Sequence, residues 1–315
     1  MKKRLFHIVM AACFGWQCSS QTDTVQQQAL GKWTLQVPDS VRVGQAFVLK
    51  LKGTSPVDEP IYLLRHGTWG TSVLTIATEQ SLSLTDTLAG WVSVQVVTQA
   101  QVLAQAHYRV AAAEVSAPLD AYLGSKSVIA NAQDWAMLTA IPTDTFGNLV
   151  SDGTPLRIDL IRPNGQSQSA TYPTRFGLAY HRITAQSKAG KTLAYVYAQN
   201  TRSREKELLE VADYPVDFQI FTENNTPYAD ARQTFRIRTE PLRDRYGNLI
   251  PDGTLVTFRC QDARPSQRFM SAYTLGGMAS ISLQNPATAG SMTIEAMVAG
   301  GGSSQPLTLN FLPRP

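Results

Sequence analysis

Cysteine is scarce in this chain, with three residues among 315, at positions 13, 18 and 260. Two of them lie within the first twenty residues, so the body of the chain holds one thiol and no intrachain disulfide framework. The sequence has no Cys-x-x-Cys motif and no Cys/His cluster, so no metal site is expected. Cys260 ends the run Val256–Cys260 and is interpreted as a small strand residue. Any folded domain here must therefore be held together by packing alone.

Charged residues are also few, at 17% of the chain. Helical proteins usually carry more Lys and Glu on their exposed faces. Thr, Ser, Val and Gln are plentiful instead, which favours strands and turns. The formal charge of +4 includes Lys2, Lys3 and Arg4; without these three, 25 basic residues face 24 acidic ones. A net charge near +1 gives no electrostatic reason to expect a nucleic-acid partner.

Catalytic motifs are missing as well. The four histidines form no His-Glu-x-x-His motif, and neither a Gly-x-Ser-x-Gly elbow nor a phosphate-binding loop before a helix is present. The segment Gly300–Ser304 joins two strands and is interpreted as a flexible hairpin loop. These absences predict a protein that is not an enzyme and that needs no cofactor.

Long hydrophobic runs are absent except near the start, where a short one follows a basic segment. Met1–Arg4 is basic and Leu5–Ala12 is apolar. A bilayer span needs about 20 apolar residues, so this segment is an export signal rather than a membrane helix. We assign residues 1–17 to the signal peptide.

A lipid-attachment cysteine is predicted at the end of this signal. Cys18 is followed by polar residues, so residues 18–29 are interpreted as a lipidated polar tether. Cys13 is the alternative, since Ala11 and Ala12 precede it; a cleaved signal without lipid and an uncleaved anchor also stay open. Ser19 does not resemble an inner-membrane retention signal, which predicts attachment to the bacterial outer membrane, on either its periplasmic or its outward face.

An internal repeat with an offset of 100 residues is the strongest pattern in the chain. Residues 144–154 and 244–254 share Asp, Gly, Asn, Leu, Asp, Gly and Thr at equal positions. The same offset aligns Gln133 with Gln233 and Trp135 with Phe235, and Ala89-Gly90 marks a diverged third copy. We predict domains at residues 30–112, 113–212 and 213–315. Short junctions near Pro118 and Pro215 predict a stiff rod.

Alternating apolar residues recur every 8–12 positions between turn residues, which predicts an all-β protein of three tandem β-sandwiches. The repeated motif predicts two tight turns, in which aspartates accept backbone hydrogen bonds and glycines adopt positive φ. Asn148 and Asn248 are expected to tolerate positive φ, and Leu149 and Leu249 to point inward. The turn residues are Asp144, Gly147, Asn148, Asp152 and Gly153, with Asp244, Gly247, Asn248, Asp252 and Gly253. Turn formation explains these carboxylates without a calcium ion.

These residues resemble the bacterial Ig-like repeats of the invasin and intimin type. In that family a strand ends in Asp, passes through Gly-Asn and returns as Val-Thr-x-Phe, which Leu255–Phe258 matches closely. The resemblance implies an immunoglobulin-like fold and a stalk or adhesion role outside the cytoplasm. It covers residues 115–315 well and residues 30–112 weakly. The chain is expected to differ from those adhesins in lacking a membrane β-barrel, so the resemblance does not imply that it anchors itself in the membrane as they do.

Two aromatic residues are candidate binding residues. Trp69 lies among Gly and polar residues and can stack on a sugar or anchor a protein, or it can fold back over the edge of its sandwich. Tyr180 belongs to a cluster with Tyr172, Phe176 and His181 that forms either a surface patch or core. Tyr195 and Tyr197 share one strand face, with the same two alternatives.

Two functions fit this pattern. The first is a non-enzymatic envelope lipoprotein, a semi-rigid Ig-like rod that binds a protein partner or forms a structural subunit of an envelope or surface complex. The alternative is a glycan-binding surface lipoprotein of a polysaccharide-uptake system.

Overall fold

The structure, a computed structural model, describes residues 25–30, 33–53, 59–99, 101–224, 227–262 and 267–314. The predicted signal peptide, Cys13 and Cys18 lie outside these residues. All long regular elements in the described ranges are β-strands, which confirms the all-β prediction. None of these residues belongs to a helix long and apolar enough to cross a membrane.

The chain divides into two compact units between Ala113 and Glu114. The first unit contains one β-sandwich, which we call the first sandwich. One sheet has the order β1-β2-β4-β7 and the other β3-β9-β8-β5-β6, where β3 pairs parallel to β9. Its strands are β1 (Val25–Leu30), β2 (Trp33–Pro38), β3 (Ser40–Arg42), β4 (Ala46–Gly53), β5 (Ile61–Gly67), β6 (Gly70–Ile76), β7 (Glu79–Thr85), β8 (Gly90–Val97) and β9 (Val102–Ala111).

Residues 25–29, predicted to belong to the polar tether, thus lie in strand β1. This strand pairs antiparallel with β2 along its whole length, from Val25 opposite Pro38 to Leu30 opposite Trp33.

The second unit contains two further sandwiches. The second sandwich has a short sheet, β10-β12-β15, and a long sheet, β11-β18-β16-β13-β14, with β17 added to β16. The strands are β10 (Asp120–Leu123), β11 (Ser127–Ile129), β12 (Trp135–Ile141), β13 (Pro155–Ile161), β14 (Ser167–Pro173), β15 (Ala179–Thr184), β16 (Gly190–Ala198), β17 (Thr201–Arg202) and β18 (Lys206–Val211). The segment Glu205–Val211 has a helix-forming composition, yet pairing with β16 makes most of it a strand.

The third sandwich repeats this plan with sheets β19-β20-β23 and β22-β21-β24-β25. The strands are β19 (Ile220–Glu223), β20 (Thr234–Thr239), β21 (Leu255–Gln261), β22 (Gln267–Tyr273), β23 (Ser280–Gln284), β24 (Gly290–Val298) and β25 (Leu307–Phe311). Each of the three sandwiches encloses its own cluster of buried apolar side chains. Cys260 lies in the third cluster as a free thiol that is 1% exposed.

Strands β12 and β20 are equivalent in the second and third sandwiches, but they are offset by 99 rather than 100 residues. Ala136 pairs with Ile183, whereas Phe235 pairs with Leu283. Trp135 is therefore 43% exposed while Phe235 is 2% exposed, because a shift of one residue moves a strand side chain to the opposite face. The alignment of Trp135 with Phe235, and with it that of Gln133 with Gln233, is wrong by one residue. The third sandwich has one extra residue between the strand and Asp244.

Candidate functional site

The first turn of the repeated motif is organised by an aspartate in each copy. The Asp144 Oδ1 atom accepts hydrogen bonds from the backbone N–H groups of Phe146 at 2.9 Å and Asn148 at 3.0 Å. Asp244 accepts the equivalent bonds from Tyr246 at 2.9 Å and Asn248 at 2.8 Å. Gly147 and Gly247 have φ values of 81° and 82°, a region in which a Cβ would be strained.

The asparagines of the motif act through their side chains. Neither Asn148 nor Asn248 has a positive φ; instead each amide donates to the carboxylate of its own Asp144 or Asp244. Among the described residues, no group of three His, Cys, Asp or Glu side chains is placed to hold a metal ion. The carboxylates of this motif are engaged in turn hydrogen bonds.

The second turn connects the motif to a neighbouring loop. Asp152 Oδ1 accepts from the N–H of Gly177 at 3.1 Å, and Asp252 Oδ1 accepts from the N–H of Gly276 at 2.7 Å. Gly153 and Gly253 have φ values of 86° and 85°.

Leu149 and Leu249 differ from the inward position that the pattern suggested. They are 49% and 42% exposed, and the next residues, Val150 and Ile250, are buried instead. Leu149 covers Gly177, where an added Cβ would lie 2.8 Å from the leucine side chain. The leucine thus lies flat over a glycine at the sandwich surface.

Asn248 also joins the third sandwich to the second. Its Nδ2 atom donates to the carbonyl of Ser187 at 2.7 Å, and its Oδ1 atom accepts from the N–H of Ala189 at 2.8 Å. The Tyr246 hydroxyl donates to the carbonyl of Asn131 at 3.0 Å. The motif therefore forms both a turn and a specific junction between two sandwiches, which its sequence pattern did not indicate.

Trp69 packs against the core of the first sandwich. Its ring is half-buried, lies 5.2 Å from the Arg65 guanidinium, and would collide with a Cβ at Gly67. Below it, Arg65 donates to Asp86 at 2.5 Å and to the Tyr108 hydroxyl at 2.7 Å. Burial, together with the hydrogen bond to Asp86, raises the pKa of Tyr108. This geometry matches the folded-back interpretation of Trp69.

Tyr180 lies on the outward face of the short sheet in the second sandwich. In the strand register, Thr139 separates Tyr180 from Tyr122, so the two tyrosines lie two strands apart. They are 55% and 54% exposed. Trp135 shares this face and carries the Arg182 guanidinium 4.6 Å from its ring, while Lys206 lies 5.9 Å from the Tyr122 ring. We call Tyr122, Trp135, Tyr180 and Arg182 the aromatic face.

The other members of the predicted cluster around Tyr180 point elsewhere. Tyr172 packs against the core, and its ring lies 4.8 Å from that of His181. Phe176 is 90% exposed in a loop, with a φ of 52°. The alternatives of patch and core thus both occur, in different residues of the cluster.

The long sheet of the second sandwich has a groove of about 630 Å³ on its outward face. Tyr195 and Tyr197 lie in it with ring centroids 6.5 Å apart. The Arg157 guanidinium lies 4.4 Å from the Tyr197 ring and its Nε is 3.2 Å from Asp159. We call this the tyrosine groove.

In the part of the third sandwich that the structure describes, Phe221 stands at the position of Tyr122, and the other aromatic residues of the two surfaces are replaced. At the positions of Trp135 and Tyr180 it has Thr234 and Ser280, as the pairing registers show. At the positions of Tyr195 and Tyr197 it has Glu295, ion-paired with Arg259, and Met297. The fold therefore does not require aromatic residues at these four positions.

Comparison with known proteins identifies the architecture. No family model and no curated protein matches the sequence. FdeC, an Escherichia coli adhesin, is 17% identical, with 91% of this chain and 98% of that chain covered and a TM-score of 0.58. Yersinia pseudotuberculosis InvD is 15% identical, with 90% and 100% covered and a TM-score of 0.51.

The bacterial integrin-binding protein invasin is 14% identical, with 92% of this chain and 60% of the invasin chain covered and a TM-score of 0.52. The fold is that of bacterial adhesins with Ig-like repeats. The resemblance inferred from the turn motif is thereby confirmed at the level of fold. The three sandwiches are accordingly Ig-like.

Proposed function

We propose that this protein is a non-enzymatic binding protein of the bacterial envelope, a semi-rigid Ig-like rod that a lipid at Cys18 attaches to the outer membrane. The fold shared with FdeC, invasin and InvD supports a role in binding at a surface. The hydrogen bonds of Asn248 and Tyr246 at the junction of the second and third sandwiches support a spacer that holds its shape. Distal loops and sheet faces would then supply recognition.

The observation that carries the proposal is the aromatic face of the second sandwich. Residues that dominate the binding energy of protein interfaces are enriched in Trp, Tyr and Arg. Trp135 and Tyr180 are exposed there, and Arg182 is already placed over the Trp135 ring. Since the third sandwich has Thr234 and Ser280 at these positions, the fold does not require aromatic residues there. We assign this face to a protein partner in the envelope or at the surface.

Affinity capture tests this assignment. The full-length protein is purified from cross-linked membranes, and the partners are identified by mass spectrometry for wild type, Trp135→Ala and Tyr180→Ala. Both substitutions should remove the same partner. Phe221→Ala is the matched control, because Phe221 is a similarly exposed aromatic on the equivalent sheet of the third sandwich, 44% exposed. A partner that is retained by both variants, or lost equally with Phe221→Ala, contradicts the assignment.

The anchor has its own test. Metabolic labelling with palmitate should label wild type and not Cys18→Ala. Label that persists in Cys18→Ala and disappears in Cys13→Ala would move the attachment to Cys13, and absence of label in wild type would leave a protein without lipid. Protease treatment of intact cells distinguishes the outward from the periplasmic face.

Glycan binding is the second candidate function. It is favoured by the tyrosine groove, a depression of about 630 Å³ that contains the rings of Tyr195 and Tyr197.

A further inference from the structure

The tyrosine groove is built from aligned rows of side chains on four neighbouring strands. In one row Ser169 of β14, Asp159 of β13 and Tyr195 of β16 lie side by side. In the next row Arg157 of β13 and Tyr197 of β16 lie side by side, and Arg202 of β17 pairs with Tyr197. The groove therefore brings hydroxyl, carboxylate, guanidinium and aromatic groups to one concave surface.

Most of these side chains are already held in position by one another. The Ser169 hydroxyl donates to Asp159 at 2.6 Å, and Asp159 is ion-paired with Arg157, which lies over Tyr197. The Tyr195 hydroxyl donates to the Glu205 carboxylate. A ligand that enters the groove would meet ordered groups, so little side-chain entropy would be lost on binding.

Arg202 is the exception among the charged groups. It is exposed and, among the residues that the structure describes, forms no ion pair. Asp159 balances the charge of Arg157, and Glu205 is occupied by Tyr195. Arg202 thus provides a cationic donor at the end of a groove in which Arg157 and Asp159 are paired with each other. Glu205 accepts a hydrogen bond from Tyr195 and, among the described residues, forms no ion pair. Such a guanidinium favours a carboxylate, which it can bind through two parallel hydrogen bonds.

In the residues that the structure describes, the equivalent surface of the third sandwich lacks the groups that would bind an acidic ligand. Arg259 and Glu295 form an ion pair across the two strands, and Met297 stands where Tyr197 stands in the second. The inward residues of the same strands stay apolar in both copies, for example Ile158 and Phe258. The two repeats thus keep the core and differ in the groove.

Size and lining distinguish this groove from a protein interface. Small-molecule sites usually occupy about 300–1,000 Å³ and combine aromatic walls with a few placed polar groups. The groove, at about 630 Å³, falls in this range. Tyrosine rings can pack against the apolar face of a sugar, while Ser169 and Asp159 can bond its hydroxyl groups. The aromatic face differs from the groove in its exposed Trp135, which has the Arg182 guanidinium over its ring.

We propose that the tyrosine groove binds an oligosaccharide, with a carboxylate-bearing sugar against Arg202. This inference rests on the second candidate function, glycan binding, and names its site and ligand class. It does not depend on the protein partner of the aromatic face. If the groove binds no oligosaccharide, the proposed protein partner of the aromatic face is unaffected. If no protein partner is found, the proposed oligosaccharide site is unaffected.

The experiment uses full-length protein in detergent micelles. An array is printed with uronic-acid and sialic-acid oligosaccharides and with the methyl ester of each, and the affinity of the best binder is measured by calorimetry. Wild type should bind acidic members more tightly than their esters. Arg202→Gln should weaken binding of the acid at least about tenfold and leave the ester unchanged, because the charge-assisted hydrogen bonds to the carboxylate are lost.

Further variants test the tyrosines. Tyr197→Ala should weaken binding of acid and ester alike, whereas Tyr197→Phe, which keeps the ring, should bind like wild type. Met297→Ala, at the equivalent position of the third sandwich, should have no effect. Thermal unfolding checks that each variant is folded, and Arg202→Gln tests the proposal even if Tyr197→Ala fails to fold.

Three results would overturn the proposal. The first is a folded wild-type protein that binds no oligosaccharide on the array. The second is binding that is unchanged in Arg202→Gln and in folded Tyr197→Ala. The third is a protein partner captured by wild type and lost in Arg202→Gln, which would make the groove a protein interface.

Discussion

The side-chain amide of Asn248 is hydrogen-bonded to the carbonyl of Ser187 at 2.7 Å, although the two residues are 61 positions apart. The same asparagine accepts the N–H of Ala189. One side chain of a turn motif therefore satisfies two backbone groups of the preceding sandwich. These bonds stiffen the junction between the second and third sandwiches, because each adds a directional constraint to the linker.

Hydrogen exchange at Ala189 reports directly on this junction. In Asn248→Ala the Ala189 N–H loses its acceptor, so its exchange should accelerate by about tenfold, the equivalent of one hydrogen bond. Tyr246→Phe is the control: it removes the bond to the Asn131 carbonyl and should leave Ala189 protected. Equal exchange at Ala189 in wild type and Asn248→Ala would show that this bond does not persist in solution.

Breaking the buried ion pair between Arg162 and Glu210 should lower the free energy of unfolding of the second sandwich. Glu210 is 1% exposed and its carboxylate lies 3.7 Å from the Arg162 guanidinium. It also accepts from the Thr192 hydroxyl and the Gln186 N–H. Glu210→Gln would leave Arg162 as an uncompensated buried charge, at a cost of about 3 kcal/mol of unfolding free energy.

Urea unfolding measures this loss. The matched control is Glu207→Gln on the same strand as Glu210. It breaks an exposed pair with Lys191 of β16 and should cost less than about 1 kcal/mol. A loss for Glu210→Gln no larger than that of the control would mean that the interior tolerates the unpaired arginine.

His181 should make the second sandwich less stable in mild acid. Burial, and secondly the positive charge of Arg162, lower the pKa of His181 from its ordinary value of 6.5. The unfolded chain then binds a proton that the folded chain does not, so stability is full above the unfolded pKa and falls as pH drops through 6.5 toward the folded pKa. Hydrogen exchange of β16 amides at about pH 7.5 and 5.5, corrected for the intrinsic rate, should show this loss.

In His181→Gln the same comparison should show a smaller difference between the two pH values. A difference as large as that of wild type would assign the pH dependence to another group.

Cys260 should be unreactive in the folded protein. Burial raises the pKa of its thiol, and the side chain lies within the apolar core of the third sandwich. The thiolate is the reactive form, so both its scarcity and its inaccessibility slow alkylation. Iodoacetamide labelling followed by peptide mass spectrometry should modify Cys260 only after urea is added. Modification at equal rates with and without urea would contradict the buried position.

The fold could be predicted from the sequence because the patterns that indicate it involve residues close together in the chain. Strands are indicated by the alternation of apolar residues. Turns are indicated by the spacing of Asp and Gly in residues 144–154 and 244–254. Both patterns can be recognised without knowing the tertiary structure. The inward position of Leu149 was wrong because the pattern did not show Gly177, a remote glycine that leaves room for a surface leucine. The repeat alignment of Trp135 with Phe235 was wrong. Two aromatic residues coincided at an offset of 100, whereas the strands that contain them are equivalent at an offset of 99.

The candidate sites were harder to predict. Tyr195 and Tyr197 could be placed on one strand face, but whether that face was inside or outside depended on the opposite sheet. Arg157 and Asp159 come from another strand, and only the register brings them beside the tyrosines. The one available signal was a difference between repeats: Tyr195 and Tyr197 become Glu295 and Met297 while the inward residues stay apolar.

The offset of 99 residues between Ala136 and Phe235 limits how these repeats can be recombined. A chimaera made by cutting both copies at positions exactly one hundred apart upstream of the Asp turn would insert or delete one residue in the transplanted strand. Its outward Trp135 would then be driven toward the interior, and Ala136 would be turned to solvent. A graft of the middle sandwich should therefore place the crossover after Asp144, which is equivalent to Asp244. A crossover near Asn131 must use cuts 99 residues apart, because Asn131 is equivalent to Asp230.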